Sequence, residues 1–445
     1  MLAKSMNLDP IGNWIRTHYT SQVTPEIDGQ EVTLFGWVQD IRDLGGIRFI
    51  ILQDHEGTIQ ITIPKKRIQP EVLAKSNLLQ KRFSLGVRGN VKKTTMTPRG
   101  IEIIPSVIKI FNVATEQLPI DITGKTPSNI ETRLDARSLD LTQEKILATF
   151  KIQHITLEAI RSYLFKEGFL EVHTPRIIAS ATEGGAELFS VDYFGQKAYL
   201  AQSPQLYKEE LTLSFEKIFE VGPFFRAEES HTRRHLSEFT SVDIEAAFAN
   251  ADDVMALLEQ VVHHVCSIVK EKGAKELAIL ENNFEDVPAI PFKRLTYDQV
   301  LEDLEKHNIP VTWGEDIPTE AFRVLGKLYP GFYFITDWPT QTKAFYIQPH
   351  VDNPKICEGF DLMFNYIELV SGGTRISQKD QLINRLKEKG LNPESFKSHL
   401  QAYDYGMPPH AGWAIGLERL TMILTGNKNI REVTLYPRDR VRLTP

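Results

Sequence analysis

The chain has 445 residues, 42 % hydrophobic and 24 % charged, too many for one ordinary core and too apolar for a disordered chain. No apolar run approaches the ~18 residues of a membrane span, "MLAKSMNLDP" lacks a signal-peptide core, and two cysteines are too few for a disulfide framework or zinc site, so a cytosolic protein of two or three domains is expected. Net charge is −7 but uneven: residues 1–124 hold 15 Lys and Arg against 12 Asp and Glu, the remainder 36 against 46, which suits a polyanion held by the N-terminal part.

Residues 31–113 read as short strands. "EVTLFGWVQDI", "RFIILQD", "TIQITIP", "FSLGVRGNV" and "IEIIPSVIKIFNV" are rich in β-branched and aromatic residues and are separated by "LGG", "HEG" and "TPRG". Five strands, with a polar stretch from Pro70 to Gln80 that can be helical after the third, predict a small Greek-key barrel of the OB type. Such barrels bind single-stranded nucleic acid by stacking bases on aromatic rings in a basic groove; a purely structural barrel is the alternative. Residues 1–119 are thus read as an extension plus barrel, and 120–142, with prolines and little periodicity, as a linker. Gly124-Lys125-Thr126 is not a phosphate loop, because Pro119 stands where the first glycine belongs and no strand feeds a helix there.

From Gln143 to Lys166 apolar residues recur at helical spacing, with Ile146, Phe150, Leu157, Ile160 and Leu164 on one stripe and Ile152, Ile155 and Tyr163 on a second. Gly168 stops this helix and "FLEVHTP" continues as a strand. Mixed strands and helices follow, with helices near 252–272 and 379–390, so residues 143–445 are read as an α+β domain on an antiparallel sheet flanked by helices, with an insertion around 251–345.

The densest charge lies in "FRAEESHTRRHLSEF", where Arg226, His231, Arg233, Arg234 and His235 stand beside three glutamates. The stretch reads as strand, loop and strand. Arg226 and Glu228 share one face of the first strand, and Phe239, Ser241 and Asp243 alternate likewise on the second. A loop of Arg, His and Thr can close over a phosphate chain, because guanidinium groups match phosphate oxygens bidentately, and Glu228 can accept a hydrogen bond from an exocyclic amine. A solvated surface run is the plain alternative.

Two further segments complete a pattern: "KEGFLEVHTP" (166–175), a helix–strand–proline unit, and "GWAIGLERLTMIL" (412–424), a strand entering a helix that carries Arg419. In this order the three resemble motifs 1, 2 and 3 of the class II aminoacyl-tRNA synthetases. The N-terminal barrel joined to such a domain resembles subclass b, and "QSPQLYKEEL", "SATEGGAELF", "GFDLMFNYIELVSGGTR" and "YPRDRVRLTP" resemble its aspartyl members of archaeal type, over Arg16 to Pro445. The resemblance implies ATP as substrate, Mg²⁺, L-aspartate, tRNA, a homodimer with Pro175 at its interface, and catalysis by Arg226 and Arg419. It implies ATP contacts from Arg226, Glu228, Arg234, His235, Leu236, Glu368, Gly416, Leu417, Glu418 and Arg419. It implies aspartate contacts from Glu183, Gln205, Lys208, Arg226, Asp243, Ser371 and Arg375, and metal contacts from Asp361, Glu368 and Ser371.

Chemical sense agrees with an aspartate pocket: a buried substrate carboxylate needs cations, and Lys208 and Arg375 supply two, where asparagine would need a mixed donor and acceptor. Asp361 and Glu368 are seven apart and would point oppositely on one straight strand, but a turn at Asn365 can bring both to one site, and hard oxygen ligands beside phosphates suit Mg²⁺. A solvated carboxylate pair is the alternative. His154, His263 and His264 lie on helices and are read as structural. In the barrel, Phe49 and Gln60 occupy the positions where aspartyl members stack on and hydrogen-bond the central anticodon uridine, with Arg42 nearby. Gln39 and Pro98 stand at the two positions associated with the choice of base 36. Proline at the second accompanies relatives that charge aspartate onto both tRNA-Asp and tRNA-Asn, which implies an amidotransferase to complete Asn-tRNA. A strictly tRNA-Asp-specific enzyme, an asparagine-synthetase-like ligase and an inactive tRNA-binding paralogue are the alternatives.

Overall fold

The computed structural model describes residues 6–179, 188–227, 235–282 and 287–445, and the chain divides into two compact units, Met1–Leu147 and Ala148–Pro445. In the first, β1 (Glu31–Asp43), β2 (Ile47–Asp54), β3 (Gly57–Pro64), β4 (Ser84–Lys93) and β5 (Ile101–Asn112) close a barrel in the order β1-β2-β3-β5-β4. All pairs are antiparallel except β3 with β5. The expected alternation is realised: Val32, Leu34, Val38, Ile50, Leu52, Ile59, Ile61 and Val87 fill the interior. The stretch after β3 is helical from Pro70 to Leu78, opened by a proline at its first position, where the missing N–H costs nothing. Buried Asp54 accepts from the Thr20 amide at 2.8 Å and the Thr20 hydroxyl at 2.7 Å, pinning the preceding segment to the barrel. Residues 120–142 are ordered, with Ile120 and Ile122 buried, helices Ile130–Asp135 and Arg137–Asp140, and a buried Arg137–Asp140 ion pair at 2.5 Å.

The second unit begins within helix Glu144–Lys166, which ends before Gly168, at φ 82°, in the left-handed region that glycine tolerates. Its strands are β6 (Leu170–Glu171), β7 (Ile177–Ile178), β8 (Ser190–Tyr193), β9 (Gln196–Leu200), β10 (Lys217–Phe225), β11 (Glu238–Ala247), β12 (Lys293–Thr296), β13 (Phe332–Thr336), β14 (Gly359–Phe364), β15 (Ile367–Thr374) and β16 (His410–Gly416). Eight of them form one sheet in the order β12-β13-β14-β15-β16-β11-β10-β6, antiparallel except at its two outer pairs, while β7, β9 and β8 form a smaller sheet. The strand expected at 169–175 shrinks to β6, because Glu220 captures the chain that follows: its carboxylate accepts from the Thr174 amide and hydroxyl, both at 2.8 Å, and from Arg176 at 2.7 Å. Pro175 stands exposed between them.

Period-two alternation separates the faces of the large sheet. Val242, Ile244, Ala246, Phe360, Leu362, Val370, Ala411, Trp413 and Ile415 join a core covered by helices Glu144–Lys166 and Ala251–Lys272. The residues between them face the other way: Ser241, Asp243 and Glu245 on β11, Gly412, Ala414 and Gly416 on β16, Ser371 and Gly373 on β15, and Asp361 on β14. Ladder pairs Asp243–Ala414, Ala414–Ser371 and Ser371–Asp361 make one row across four strands. The second face is therefore a trough with a floor of small residues and polar walls. Among the described residues no helix is long and apolar enough to cross a membrane.

Candidate functional site

One end of the trough collects a cation pair. Arg226 continues the alternation of Glu220, Gly222 and Phe224, so it rises on the trough side, its guanidinium 5.2 Å from the centre of the Phe239 ring. Arg419, in the first turn of helix Leu417–Thr425, donates from Nη1 to the Glu368 carbonyl at 2.7 Å and lies 3.8 Å from Glu368 Oε1. With His235, Leu236, Ser241, Ser371, Gly416 and Glu418 they line one cleft. A Cβ at Gly416 would meet the Arg419 side chain at 3.7–3.8 Å, an ordinary contact. Leu417 is buried and does not line this cleft.

Glu418 accepts from the Thr240 amide at 3.0 and 3.1 Å, and burial pushes its pKa up from 4.5 to about 7. A carboxyl with a higher pKa in the folded chain keeps its proton there after the unfolded chain has lost it, so stability falls as pH rises from about 4.5 to about 7. The expected loss approaches about 3 kcal/mol. Glu418→Gln should flatten the melting temperature over pH 5–7.5; a pH dependence unchanged from wild type would assign it to other groups.

The deeper part of the trough is a buried charge network. Gln205 and Lys208 lie one turn apart on helix Gln205–Phe215. Lys208 Nζ sits 3.2 Å from Asp243 Oδ1 and 3.3 Å from Glu245 Oε2, and Arg375 Nε donates to Glu245 Oε1 at 2.9 Å. Gly412 is required beside them, because a Cβ there would lie 2.3 Å from Glu245 Oε2. The Gln205 amide donates to Glu209 Oε1 at 2.5 Å; the Tyr403 hydroxyl donates to Glu209 Oε2 at 2.9 Å, and His399 and His410 lie 3.3 and 3.7 Å from that oxygen. All of these side chains are nearly inaccessible. The two cations expected to compensate a substrate carboxylate are already engaged: Glu245 lies between them and Asp243 beside Lys208. Among the described residues, buried Asp243 Oδ2 has no hydrogen-bond partner.

The third group is held by a hairpin. Asn365, at φ 53°, turns the chain between β14 and β15, and the register slips so that Leu362 faces Val370 while Met363 faces Glu368. Leu369 is therefore a bulge residue, which returns Glu368 to the face of Ser371. Asp361, opposite Ser371, is buried and clamped by Lys343 Nζ at 2.6 and 2.7 Å. Burial raises its pKa, Lys343 opposes this, and the charge of Glu368 raises it further. Two carboxylates and a hydroxyl fit a hard cation that completes its shell with phosphates and water. Among the described residues there is no group of three or more His, Cys, Asp or Glu able to hold a metal alone.

In the barrel, the register sets Arg42, Phe49 and Thr62 in one outward row and Asp40, Ile51 and Gln60 in the next. Gln60 donates to Thr62, which donates to Glu102 at 2.7 Å, and Lys92 pairs with Glu102 at 3.2 Å. Gln39 is the extra residue of a bulge between Val38 and Asp40, and Pro98 is exposed in the β4–β5 turn, which Arg99 ties to the carbonyls of Thr58, Thr20 and Val23. Glu183, Glu228 and Arg234, with His231 and Arg233, lie outside the described residues. Sequence reasoning missed Glu245, although it continues the alternation of Ser241 and Asp243. It also missed Glu209, His399, Tyr403, His410 and Lys343, which no local spacing marks.

Residues 129–440 match the family model of class II tRNA synthetases (D, K and N), and residues 32–111 that of the OB-fold nucleic acid binding domain. The chain is 48 % identical over 436 residues to the aspartate--tRNA(Asp/Asn) ligase of Methanothermobacter thermautotrophicus, covering 98 % of this chain and 100 % of that protein. It is 49 % identical over 433 residues to the ligase of the same name from Methanopyrus kandleri, covering 97 % and 100 %. Among solved structures, asparaginyl-tRNA synthetase from Pyrococcus horikoshii complexed with asparaginyl-adenylate superposes with a TM-score of 0.93 at 32 % identity, covering 97 % of this chain and 100 % of that one. Aspartyl tRNA synthetase from Entamoeba histolytica superposes with a TM-score of 0.87 at 29 % identity, covering 99 % and 96 %. Fold alone does not separate the two amino acids, so the choice rests on the site.

Proposed function

The chain belongs to the class II tRNA synthetases of the D, K and N type, and from that premise we propose that it activates L-aspartate with ATP and transfers it to the 3′ end of tRNA, accepting both tRNA-Asp and tRNA-Asn. The observation that carries the amino-acid choice is the buried cationic pair Lys208 and Arg375, held by Glu245 at the end of the trough. A substrate carboxylate entering there finds two cations to pair with, whereas the neutral amide of asparagine brings no charge to balance them. Near full-length likeness to ligases named for both tRNAs, together with Pro98, supports the double tRNA use.

The chemistry needs no protein nucleophile. The substrate α-carboxylate attacks the α-phosphorus of ATP and pyrophosphate leaves; a 3′-terminal hydroxyl of tRNA then attacks the aspartyl carbonyl and AMP leaves. Arg226 and Arg419 would balance charge on the phosphates, and Asp243 Oδ2 would accept from the substrate ammonium. Asp361, Glu368 and Ser371 would hold Mg²⁺, which when bound neutralises phosphate charge. Arg42, Phe49 and Gln60 would meet the anticodon, with Gln39 and Pro98 near base 36. Glu183, Glu228 and Arg234 keep the roles that the family pattern implies. Exposed Pro175, flanked by exposed Leu170 and Ile177, suits a homodimer interface. Charging of tRNA-Asn would require an amidotransferase, and a cytosolic setting fits.

The direct test is ATP–pyrophosphate exchange with each amino acid. Exchange should depend on aspartate, with asparagine at least about 100-fold poorer in kcat/KM, a difference of ~2.7 kcal/mol. Exchange supported equally by asparagine would refute the assignment.

A further inference from the structure

Glu209 is a puzzle in a pocket proposed to take an anionic amino acid. It is wholly buried and acidic, and it lies on the turn that carries Gln205 and Lys208. We propose that Glu209 and His399 act together as a positioning pair: Glu209 fixes the orientation of the Gln205 amide toward the substrate, and His399 supplies the cation that keeps Glu209 from repelling aspartate. The proposal rests on the aspartate reading above.

The first half follows from donor and acceptor accounting. An ionised carboxylate only accepts hydrogen bonds, so the Gln205 NH₂ must face Glu209, at 2.5 Å, and the Gln205 carbonyl oxygen is turned away from it. That leaves an acceptor suited to an ammonium, the group every amino acid presents. A glutamine at 209 could accept or donate and would leave the amide free to flip.

The second half follows from charge. Glu209, Asp243 and Glu245 are three buried carboxylates; Lys208 and Arg375 are two buried cations. His399, the nearer of the two histidines that face Glu209, can balance the third. Its Nε2 lies 3.3 Å from Glu209 Oε2 and its Nδ1 3.1 Å from Glu210 Oε1. The other titratable groups facing the pair are His410, 3.7 Å from Glu209, and Tyr403, whose hydroxyl donates to it. Burial opposes the charge on His399, but the carboxylates of Glu209 and Glu210, the second accepting from Nδ1, outweigh it and lift the imidazole to about 9. Burial of Glu209 is in turn outweighed by the two histidines, which hold it well below the usual carboxylate range. His399 also lines a cavity of about 620 Å³ with Glu210, Tyr199 and Tyr207, which gives its proton a path to solvent.

The test is a steady-state comparison of His399→Gln, Glu209→Gln and the double variant. His399→Gln should raise the aspartate KM about tenfold with the ATP KM unchanged. The double variant, which removes both charges, should recover the part of that loss that comes from repulsion and keep the part that comes from a freely flipping Gln205 amide, so its aspartate KM should match that of Glu209→Gln alone. In the wild type the aspartate KM should rise more steeply as pH passes 9 than in the double variant, where only the substrate ammonium still titrates. An unchanged aspartate KM in His399→Gln, or no recovery in the double variant, overturns the proposal. If His399→Gln does not fold, the pH profiles of wild type and double variant decide it. A wild type that does not activate aspartate at all would instead remove the functional reading on which the pair depends.

Discussion

Arg226→Ala and Arg419→Ala should each lower the kcat of aspartate-dependent pyrophosphate exchange by about 10²–10³, the usual consequence of deleting one preorganised donor, worth about 3–4 kcal/mol. Negative charge shifts among the phosphate oxygens and the leaving pyrophosphate as the α-phosphorus is attacked, and these guanidinium groups sit on two walls of one cleft. The fold should survive both changes. Arg419 is held mainly by a backbone carbonyl, and its carboxylate neighbour Glu368 is about half exposed, so no buried charge is stranded. Arg226 stacks on Phe239, a contact worth about 0.5–1 kcal/mol where solvent reaches it. Lysine at either position should recover only part of the rate, because it cannot bridge two oxygens in a plane. Exchange within a few-fold of wild type in either alanine variant, with a folded protein, contradicts the assigned roles.

Arg375→Leu should act on stability and on substrate at once, and the two can be separated. It leaves Glu245, which has no solvent exposure, with Lys208 as its only remaining cation among the partners described here. Breaking a buried pair from one side costs about 3–5 kcal/mol, so the melting temperature should fall by several degrees. The aspartate KM should also rise more than tenfold while the ATP KM holds. Adding Glu245→Gln should restore most of the melting temperature, because the stranded charge is gone, but not the aspartate KM, because the substrate still lacks its cation. Recovery of both together would mean that Arg375 serves the fold and not the ligand. Lys208→Met should follow the same pattern on the aspartate side.

The barrel was legible because each of its strands obeys a two-residue period and is bounded by turn residues, and the long helices because their apolar stripes run for five or six turns. The hairpin that carries Arg226 could be read for the same reason: Phe239, Ser241 and Asp243 alternate along one strand. What escaped the sequence depends on partners far along the chain. Glu209 and Tyr403 are 194 residues apart, and Lys343 reaches Asp361 across 18. No local spacing records such pairs. The turn at Asn365 could be anticipated, but the bulge at Leu369 could not, since it arises from how β14 and β15 slip against each other. The strand ending at Pro175 was overestimated for a similar reason. Glu220, 46 residues from Thr174, binds the backbone that an extended strand would have kept for its ladder. Resemblance to the family singled out Lys208, Arg375 and Asp243 but not Glu245, which engages both cations.

Aspartate ligation to two tRNAs is tested by charging purified tRNA-Asp and tRNA-Asn transcripts with aspartate, using the full chain. The two kcat/KM values should lie within about a hundredfold of each other, a gap below ~2.7 kcal/mol. A larger preference for tRNA-Asp would contradict the double specificity and leave a strict aspartate–tRNA ligase, and no aspartate on either transcript would contradict the account at its root.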